Sequence, residues 1–215
     1  MTPRTIAPQP LAGRLAKRGF DAALAGAGLI LSLPVWVLAA LAVKLEDGGD
    51  VFYSQERAGR HGRVFRVYKF RSMIENAEAG VGALQASDND PRITRVGRWL
   101  RATAMDELPQ LWSIFVGDMS FVGPRALRPG EIEVSGDGRQ VALEDVPGYA
   151  ERSTAVPGLT GVAQIYAPRD VPRRQKFRYD RLYIDRQSFW LDLRLIALSF
   201  WITFRGRWEV RGRKF

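Results

Sequence analysis

Two adjacent carboxylates, Asp106 and Glu107, lie in the stretch MDELPQL (105–111), just before Pro109. An aspartate can attack phosphorus as a covalent nucleophile and so split a displacement into two steps. Carboxylates also suit Mg²⁺, a hard cation that prefers oxygen ligands. A solvated polar helix face is the alternative explanation, because acidic residues are common on such faces. The pair alone leaves both interpretations open.

The residues around the pair favour chemistry on a phosphate. Arg98 and Arg101 precede it, and the segment GDMSFVGPR (117–125) follows with two glycines, a proline and Arg125. Glycine-containing turns can present backbone N–H groups to a phosphate, and arginine adds a bidentate donor. Because carboxylates repel phosphate, such a site needs a cation such as Mg²⁺. The sequence therefore predicts phosphoryl transfer.

Composition limits the other kinds of site. The chain has 215 residues and a net charge of +9, which predicts one main domain with an anionic partner: nucleic acid, a membrane surface or a phosphorylated substrate. It has no cysteine and a single histidine, His61. Disulfide frameworks, thiolate zinc sites and histidine-pair metal sites are therefore excluded.

An uncharged apolar run extends from Ala22 to Val43, roughly 22 residues, which matches a hydrocarbon core of roughly 30 Å. It could span the membrane, act as a secretory signal, or enter and leave on one face. A signal is disfavoured because the run exceeds a usual apolar region of roughly 7–15 residues. Pro34 predicts a kink at mid-run, which a re-entrant helix and a kinked span share. The residues alone leave those two open.

The remaining pattern predicts an α+β fold that is mainly helical, with a small β-hairpin and amphipathic interfacial helices. Val, Phe and Tyr are frequent in residues 51–56 and 63–72, and a glycine-containing segment joins these two strands. Leu195–Phe204 fits an interfacial or core helix. Residues 105–116 have helical spacing, with Pro109 expected to distort the helix. Their apolar face comprises Met105, Leu108, Trp112 and Phe115, opposite Asp106, Glu107, Gln110 and Ser113.

Long motifs in order along the chain resemble the bacterial sugar transferases, the monotopic polyprenyl-phosphate phosphoglycosyl transferases. The resemblance covers almost everything from Lys17 onward and suggests the minimal catalytic form. It rests on KRGFD (17–21), VFYSQERAGRHGRVFRVYKFRSM (51–73), DPRITRVGRWLRATAMDELPQLWSIFVGDMSFVGPR (90–125), PGLTGVAQI (157–165) and the YD, YI and SFWLDL segments of residues 179–193.

The resemblance implies a membrane arrangement. A tail (1–16) would precede a re-entrant membrane helix (17–45), broken at a proline, for which Ser32 and Pro34 are the candidates. Residues 46–215 would form a catalytic domain with interfacial helices on the cytoplasmic face of the bacterial inner membrane. Some family members carry Ser-Pro at the break, whereas Leu33 intervenes here between Ser32 and Pro34, so a different cap geometry is expected.

The resemblance also implies the reaction. A phospho-sugar would pass from a UDP-sugar to undecaprenyl or another polyprenyl phosphate, with release of UMP. Asp106 would be the nucleophile and would share Mg²⁺ with Glu107. The expected phosphate or nucleotide contacts are Arg101, Gly123, Pro124 and Arg125, with Ala126 where the family often has a second proline. From the residues alone, Lys69 and Arg71 either contact a nucleotide or lipid phosphate or lie on a solvated strand face.

Two rival functions come from other classes. A nucleic-acid-binding protein is suggested by aromatic residues interleaved with arginine at 177–186, but the apolar run and the acidic pair argue against nucleic acid as a partner. A non-catalytic membrane scaffold is the other rival, and it requires no function for Asp106. The sequence names neither the sugar, the glycan pathway, the polyprenyl length nor the oligomeric state, for which a homodimer stays open.

Overall fold

The structure, a computed structural model, describes residues 10–77, 90–134, 139–168 and 171–205. Within these ranges the chain is mixed and mostly helical, as the sequence predicts. The helices are α1 (Leu11–Asp47), α2 (Arg95–Ala102), α3 (Gln110–Val116), α4 (Tyr149–Arg152), α5 (Val162–Tyr166), α6 (Arg173–Arg186) and α7 (Phe189–Phe204). The strands are β1 (Phe52–Ala58), β2 (Val64–Phe70), β3 (Ser120–Val122), β4 (Ile132–Val134), β5 (Gln140–Ala142) and β6 (Gly158–Thr160). Short 3₁₀ turns occupy Arg60–Gly62, Met105–Glu107 and Leu143–Asp145.

Helix α1 contains the apolar run and has 37 residues. It begins at Leu11, within the predicted tail, and ends at Asp47. Gly48 follows with a φ of 76°, the left-handed conformation that favours glycine after a helix C-terminus. The helix is not interrupted at Pro34, where the sequence predicts a break. Local bonds support it there: the Ser32 hydroxyl donates to the Leu29 carbonyl and accepts from the Trp36 indole.

One face of α1 packs closely on the rest of the fold. A β-carbon at Gly26 would lie 3.3 Å from the Phe115 ring, and one at Gly28 would lie 3.2 Å from the Leu111 side chain. These glycines let α1 approach α3 more closely than larger residues would. The opposite face is exposed and apolar, and includes Ile30, Leu31, Leu33, Val37, Leu38, Leu41 and Leu45. Such an extended exposed patch is typical of a membrane or protein contact surface.

Polar contacts hold the start of α1 to the end of the chain. The Lys17 ammonium lies 2.6 Å from Asp192 on α7 and 3.7 Å from Asp21, one turn along α1. The Tyr183 hydroxyl of α6 lies 2.9 Å from the other Asp192 oxygen. We call Lys17, Asp21, Tyr183 and Asp192 the N-terminal anchor. It joins α1 to α6 and α7.

A second set of contacts holds the end of α1. Asp47 forms an ion pair with the buried Arg71 guanidinium. The Glu46 carboxylate accepts from the backbone N–H of Arg95 at 2.7 Å, where α2 begins. We call Glu46, Asp47 and Arg71 the C-terminal anchor. Both ends of α1 are therefore fixed to the same folded unit.

The predicted hairpin is confirmed, with β1 and β2 antiparallel and Phe52 opposite Phe70. Phe65 and Val67 of β2 point into the main core, and Lys69 follows on the same side of the strand. A second pair, β3 and β6, is parallel, and a third, β4 and β5, is antiparallel. The main core lies between α1, α3, β2, β3, α5, α6 and α7.

Helix α3 differs from the sequence prediction in which side faces inward. Its polar Gln110 and Ser113 are buried, whereas Trp112 and Phe115 of the predicted apolar face are exposed. Leu111 and Ile114 supply the apolar contacts with the core. The periodicity could not decide this, because α3 has large apolar residues on more than one side. The inward polar side is the one that adjoins the acidic pair.

Candidate active site

The acidic pair lies in the 3₁₀ turn Met105–Glu107, between α2 and α3. Ala104 introduces this turn with a left-handed backbone (φ 53°). Pro109 does not distort a helix as predicted, because α3 begins only after it. Proline has no N–H to lose at a helix start, and its fixed φ suits that position. Asp106 and Glu107 thus project from a tight turn rather than from a regular helix.

Lys69, at the end of β2, lies beside both carboxylates. Its ammonium is 2.5 Å from a Glu107 oxygen and 3.8 Å from an Asp106 oxygen. The first distance is a short charge-assisted hydrogen bond, whereas the second is too long for a hydrogen bond. Lys69 therefore fixes Glu107 directly and acts on Asp106 through charge alone.

Arg125 approaches the pair from the loop that follows β3. Its guanidinium lies 3.7 Å from the same Glu107 oxygen, and its side chain is half-exposed. The Gln110 side chain also hydrogen-bonds Glu107. Gln110 was missed as a site residue because the sequence predicts only that it shares a helix face with the acids. Its burial at the first position of α3 explains the contact.

The two carboxylates have opposite pKa shifts. Burial raises the pKa of Asp106 to about 6, with Lys69 lowering it and the neighbouring Glu107 charge raising it. Burial also acts to raise the pKa of Glu107, but Lys69 and Arg125 outweigh it and bring that pKa to about 2. Pairs of acids whose environments separate their pKa values in this way are typical of catalytic sites. Glu107 is the permanently ionised member.

The other predicted site residues are placed as follows. Arg101 on α2 is near enough for its charge to lower the pKa of Asp106. Gly123 and Pro124 are buried, and a β-carbon at Gly123 would lie 2.3 Å from the Val156 carbonyl oxygen, so only glycine fits there. Arg71 is bound to Asp47 and to the Asp50 carbonyl rather than to the acidic pair. Ser32 lies within α1.

The oxygen donors of the site fit a magnesium ion. The described residues contain no group of three or more His, Cys, Asp or Glu side chains arranged to hold a metal. Mg²⁺ seldom needs such a cage, because one or two carboxylates together with substrate phosphates usually bind it. A carboxylate has about four acceptor positions, so Glu107 keeps capacity beyond its contacts with Lys69 and Gln110.

An apolar cavity of about 440 Å³ lies between α1, the β-hairpin and the start of α3. Pro109 contributes to its wall and stands two residues from Glu107. Tyr68, next to Lys69, contributes on the hairpin side. The remaining lining residues are Leu29, Ile30, Leu33, Trp36, Phe52 and Trp112. Among these lining residues, Pro109 is the nearest along the chain to the carboxylates, and Ile30 and Leu33 belong to the exposed face of α1.

Comparison with known proteins gives consistent matches. A model of the family described as bacterial sugar transferase matches residues 12–206. The chain is 40% identical over 192 residues to the undecaprenyl-phosphate glucose phosphotransferase of Komagataeibacter xylinus, covering 86% of this chain and 35% of that protein. It is 40% identical over 206 residues to the UDP-glucose:undecaprenyl-phosphate glucose-1-phosphate transferase of Escherichia coli, covering 92% of this chain and 42% of that protein.

A shorter relative matches over most of its own length. The chain is 35% identical over 206 residues to the exopolysaccharide production protein ExoY of Rhizobium meliloti, covering 89% of this chain and 86% of that protein. In contrast, it spans less than half the length of the two phosphotransferases above. The matched region in every case includes the acidic pair, since nearly the whole chain is aligned.

Proposed function

We propose that this chain, which belongs to the bacterial sugar transferase family, moves a sugar 1-phosphate from a UDP-sugar to undecaprenyl phosphate and releases UMP. The observation that carries this proposal is the buried Asp106. It lies beside Glu107, which Lys69 holds by a hydrogen bond, and near the positive charges of Arg101 and Arg125. The names of the relatives include glucose, galactose and N-acetylgalactosamine phosphotransferases. The sugar that this chain uses is therefore a separate question.

The proposed reaction has two displacements. An Asp106 oxygen attacks the sugar-bearing phosphorus, and the bond from that phosphorus to the bridging oxygen breaks, so that UMP leaves with the bridging oxygen. An oxygen of the lipid phosphate then attacks the same phosphorus and releases Asp106. The product is a polyprenyl diphosphate sugar. This division into two steps is the general advantage of a covalent nucleophile.

The site residues have distinct functions in this scheme. With a pKa of about 6, Asp106 is mostly ionised at neutral pH and can attack without prior loss of a proton. Lys69 holds Glu107 in place, and Arg125 and Arg101 place positive charge where the diphosphate would bind. Glu107 and Asp106 would hold Mg²⁺, which when bound would neutralise phosphate charge. Gly123 and Pro124 keep the Arg125 loop close to β6.

The apolar cavity suits the lipid substrate. Its lining is made of aliphatic and aromatic side chains, and one lining residue, Pro109, stands two positions after Glu107. A polyprenyl chain placed there would bring its phosphate to the carboxylates while its distal part follows the exposed face of α1. Burial of hydrocarbon contributes about 0.8 kcal/mol per methylene, so a few isoprene units supply substantial affinity.

The membrane placement that we propose is re-entrant, with the catalytic part on the cytoplasmic face. A straight helix of 37 residues would be ~55 Å long. Both ends of α1 nevertheless contact the same folded unit, through Lys17 at one end and Asp47 at the other. A simple span would place these two ends on opposite sides of the bilayer. The two anchors therefore support entry and exit on one face.

The test is UMP release by the purified protein in lipid, measured against a panel of UDP-sugars with undecaprenyl phosphate. One sugar nucleotide should give turnover, and without lipid acceptor it should give one burst of UMP per active site with the sugar phosphate bound to Asp106. Mass spectrometry of the intact protein detects that adduct. Absence of UMP release with every sugar nucleotide would contradict the proposed function. A lipid-dependent reaction without a burst or an adduct would instead contradict the covalent step.

A further inference from the structure

The loop that carries Arg125 is bound at five consecutive backbone carbonyls. Two of the donors are backbone N–H groups of neighbouring strands, and three are side chains. The carbonyls of Gly123, Pro124, Arg125, Ala126 and Leu127 accept from Gln164 Nε2 (3.4 Å), Gly158 N (2.8 Å), Arg152 Nη2 (2.5 Å), Arg57 Nη1 (3.0 Å) and Ala58 N (2.8 Å). We call residues 123–127 the clamped loop. Its path is fixed from several directions at once.

Arg152 is the more deeply buried of the two arginine donors. Its Nε lies 2.8 Å from Asp180 on α6, and its guanidinium carbon lies 4.9 Å from the centre of the Phe177 ring. Both Arg152 and Asp180 are almost fully buried. The Arg152 guanidinium thus donates one hydrogen bond to Asp180 and another to the Arg125 carbonyl. Arginine alone offers donors in this planar arrangement.

Arg57 reaches the next carbonyl from strand β1. Its Nη1 donates to Ala126, and its Nη2 donates to the Gln55 side chain at 2.6 Å. Burial, followed by the charges of Arg125 and Arg128, lowers the pKa of Arg57 to about 10. Among the residues that the structure describes, no carboxylate forms an ion pair with it. Arg57 is thus a largely buried cation with Arg125 and Arg128 nearby. Its hydrogen bonds go to a backbone carbonyl oxygen and a side-chain amide oxygen.

The contacts of the clamped loop determine the position of Arg125. Its side chain is half-exposed and touches the acidic pair only at 3.7 Å, so its position depends on where its backbone lies. The residue after it is Ala126, whose backbone is not restricted as that of a proline would be. The two guanidinium groups bind the carbonyls of Arg125 and Ala126, which belong to successive peptide groups on either side of the Ala126 Cα. They therefore control the one segment from which Arg125 reaches Glu107.

We propose that Arg57 and Arg152 are positioning residues that hold Arg125 in place for the diphosphate of the sugar nucleotide. The inference rests on the proposed function, since it concerns the binding of that substrate. Arg57 and Arg152 act through the backbone of the clamped loop and do not touch the substrate. Their loss therefore weakens substrate binding only to the extent that Arg125 contributes to it.

A double-mutant cycle tests this dependence, with Arg57→Met, Arg125→Ala and the combination. We expect Arg57→Met to raise KM for the UDP-sugar about 10-fold with a smaller change in kcat. In the Arg125→Ala background the same change should raise KM by less than about 2-fold, because residues that act through one another are not additive. Independent effects that multiply would show that Arg57 binds substrate directly and would overturn the proposal. A lower melting temperature with unchanged KM would also overturn it, by reducing Arg57 to a structural residue.

Matched variants complete the experiment. Arg63→Met removes a cation from the turn of the same hairpin, where the side chain is 81% exposed, and should leave KM unchanged. Arg57→Lys keeps a donor for the Ala126 carbonyl and should recover part of the loss. Arg152→Lys keeps the charge beside Asp180 but loses the fork, and should also raise KM in an Arg125-dependent way. No UMP release by the wild-type protein would contradict the proposed function itself, whereas active protein with multiplying effects contradicts only this inference.

Discussion

The acidic pair and the N-terminal anchor are both buried clusters of acids with one lysine, yet their contacts differ. In the anchor, Lys17 lies 2.6 Å from Asp192, and the other Asp192 oxygen lies 2.9 Å from the Tyr183 hydroxyl. In the pair, Lys69 is 2.5 Å from Glu107 but 3.8 Å from Asp106. Asp106 is thus a buried carboxylate without a hydrogen bond from the nearest lysine.

We expect this difference to distinguish the N-terminal anchor, which stabilises the fold, from the acidic pair, which would react with substrate. A buried ion pair with complete hydrogen bonds joins elements, and removal of either partner leaves a costly unpaired charge. A buried acid with an incomplete set of partners is held at a cost that substrate or a cation can offset. We therefore expect changes at the anchor to alter stability and changes at the pair to alter turnover.

The largest expected effect is that of Asp106→Asn. The amide has the shape of the carboxylate but cannot attack phosphorus, so kcat should fall by about 10⁴-fold or more, as for other covalent nucleophiles. The burst of UMP without lipid acceptor should also vanish. Melting temperature should not fall, because the change removes a buried charge. Retained turnover would contradict the nucleophile assignment, and a large loss of stability would contradict the distinction from the anchor.

Removal of divalent metal should have the next largest effect. After EDTA treatment and desalting, UMP release should fall on the order of 10²-fold or more, because a cation beside a diphosphate supplies several kcal/mol of charge stabilisation. Mg²⁺ or Mn²⁺ should restore it, since both favour oxygen ligands. The melting temperature without substrate should stay nearly constant, because the two anchors are built from ion pairs and hydrogen bonds between protein groups. Full activity without metal would remove Mg²⁺ from the proposal.

A matched pair of lysine variants compares the two clusters directly. Lys69→Met should lower kcat/KM on the order of 10²-fold, because Glu107 loses the contact that fixes it. Lys17→Met should instead lower the free energy of unfolding by about 3 kcal/mol, since it breaks a buried pair. Turnover per folded Lys17→Met molecule should remain close to that of the wild type. Chemical denaturation and UMP release measure the two quantities.

The double variant Lys17→Met/Asp192→Asn provides the control for the anchor. It removes the unpaired carboxylate that the single change leaves, and should recover part of the lost stability. If Lys17→Met instead lowered turnover as strongly as Lys69→Met, the two clusters would not differ in the way proposed.

Features carried by local pattern could be predicted from the sequence. The uninterrupted apolar run predicted α1, and alternating Val, Phe and Tyr predicted the β1–β2 hairpin. Asp106, Glu107 and Arg125 were identified from the motif around them, and the structure brings them together with Lys69. Such features depend on neighbours in the chain, which the sequence displays directly.

Features that depend on distant contacts could not be predicted. Periodicity gave α3 an apolar face but not its direction, because the outward Trp112 and Phe115 are as hydrophobic as the inward residues. Arg71 resembled a phosphate ligand by its position beside Lys69, yet its guanidinium binds Asp47, 24 positions earlier. Arg57 meets Ala126 across 69 positions. Only the packing of α1 and the hairpin on the domain determines these partners.

The smallest expected effect concerns the C-terminal anchor and depends on pH. A hydrogen bond from Arg71, with another from the Gly49 N–H, lowers the pKa of Asp47 from 3.8 to about 2. The ionised carboxylate therefore favours the folded state above about pH 4, and this contribution is lost as the pH falls toward 2. Because the Asp47 side chain is 34% exposed, solvent screening limits this contribution to about 1 kcal/mol or less.

Asp47→Asn should lower the melting temperature by about 2–4 °C at pH 7 and by less at pH 3. Asp50 is a nearby acid that binds Arg71 through its backbone carbonyl rather than its side chain. The difference in melting temperature between Asp50→Asn and the wild type should therefore be the same at pH 7 and pH 3. If Asp47→Asn lowered the melting temperature equally at both pH values, Asp47 would stabilise the fold through the geometry of its hydrogen bonds rather than through its charge. The C-terminal anchor would then act as a neutral helix cap more than as an ion pair.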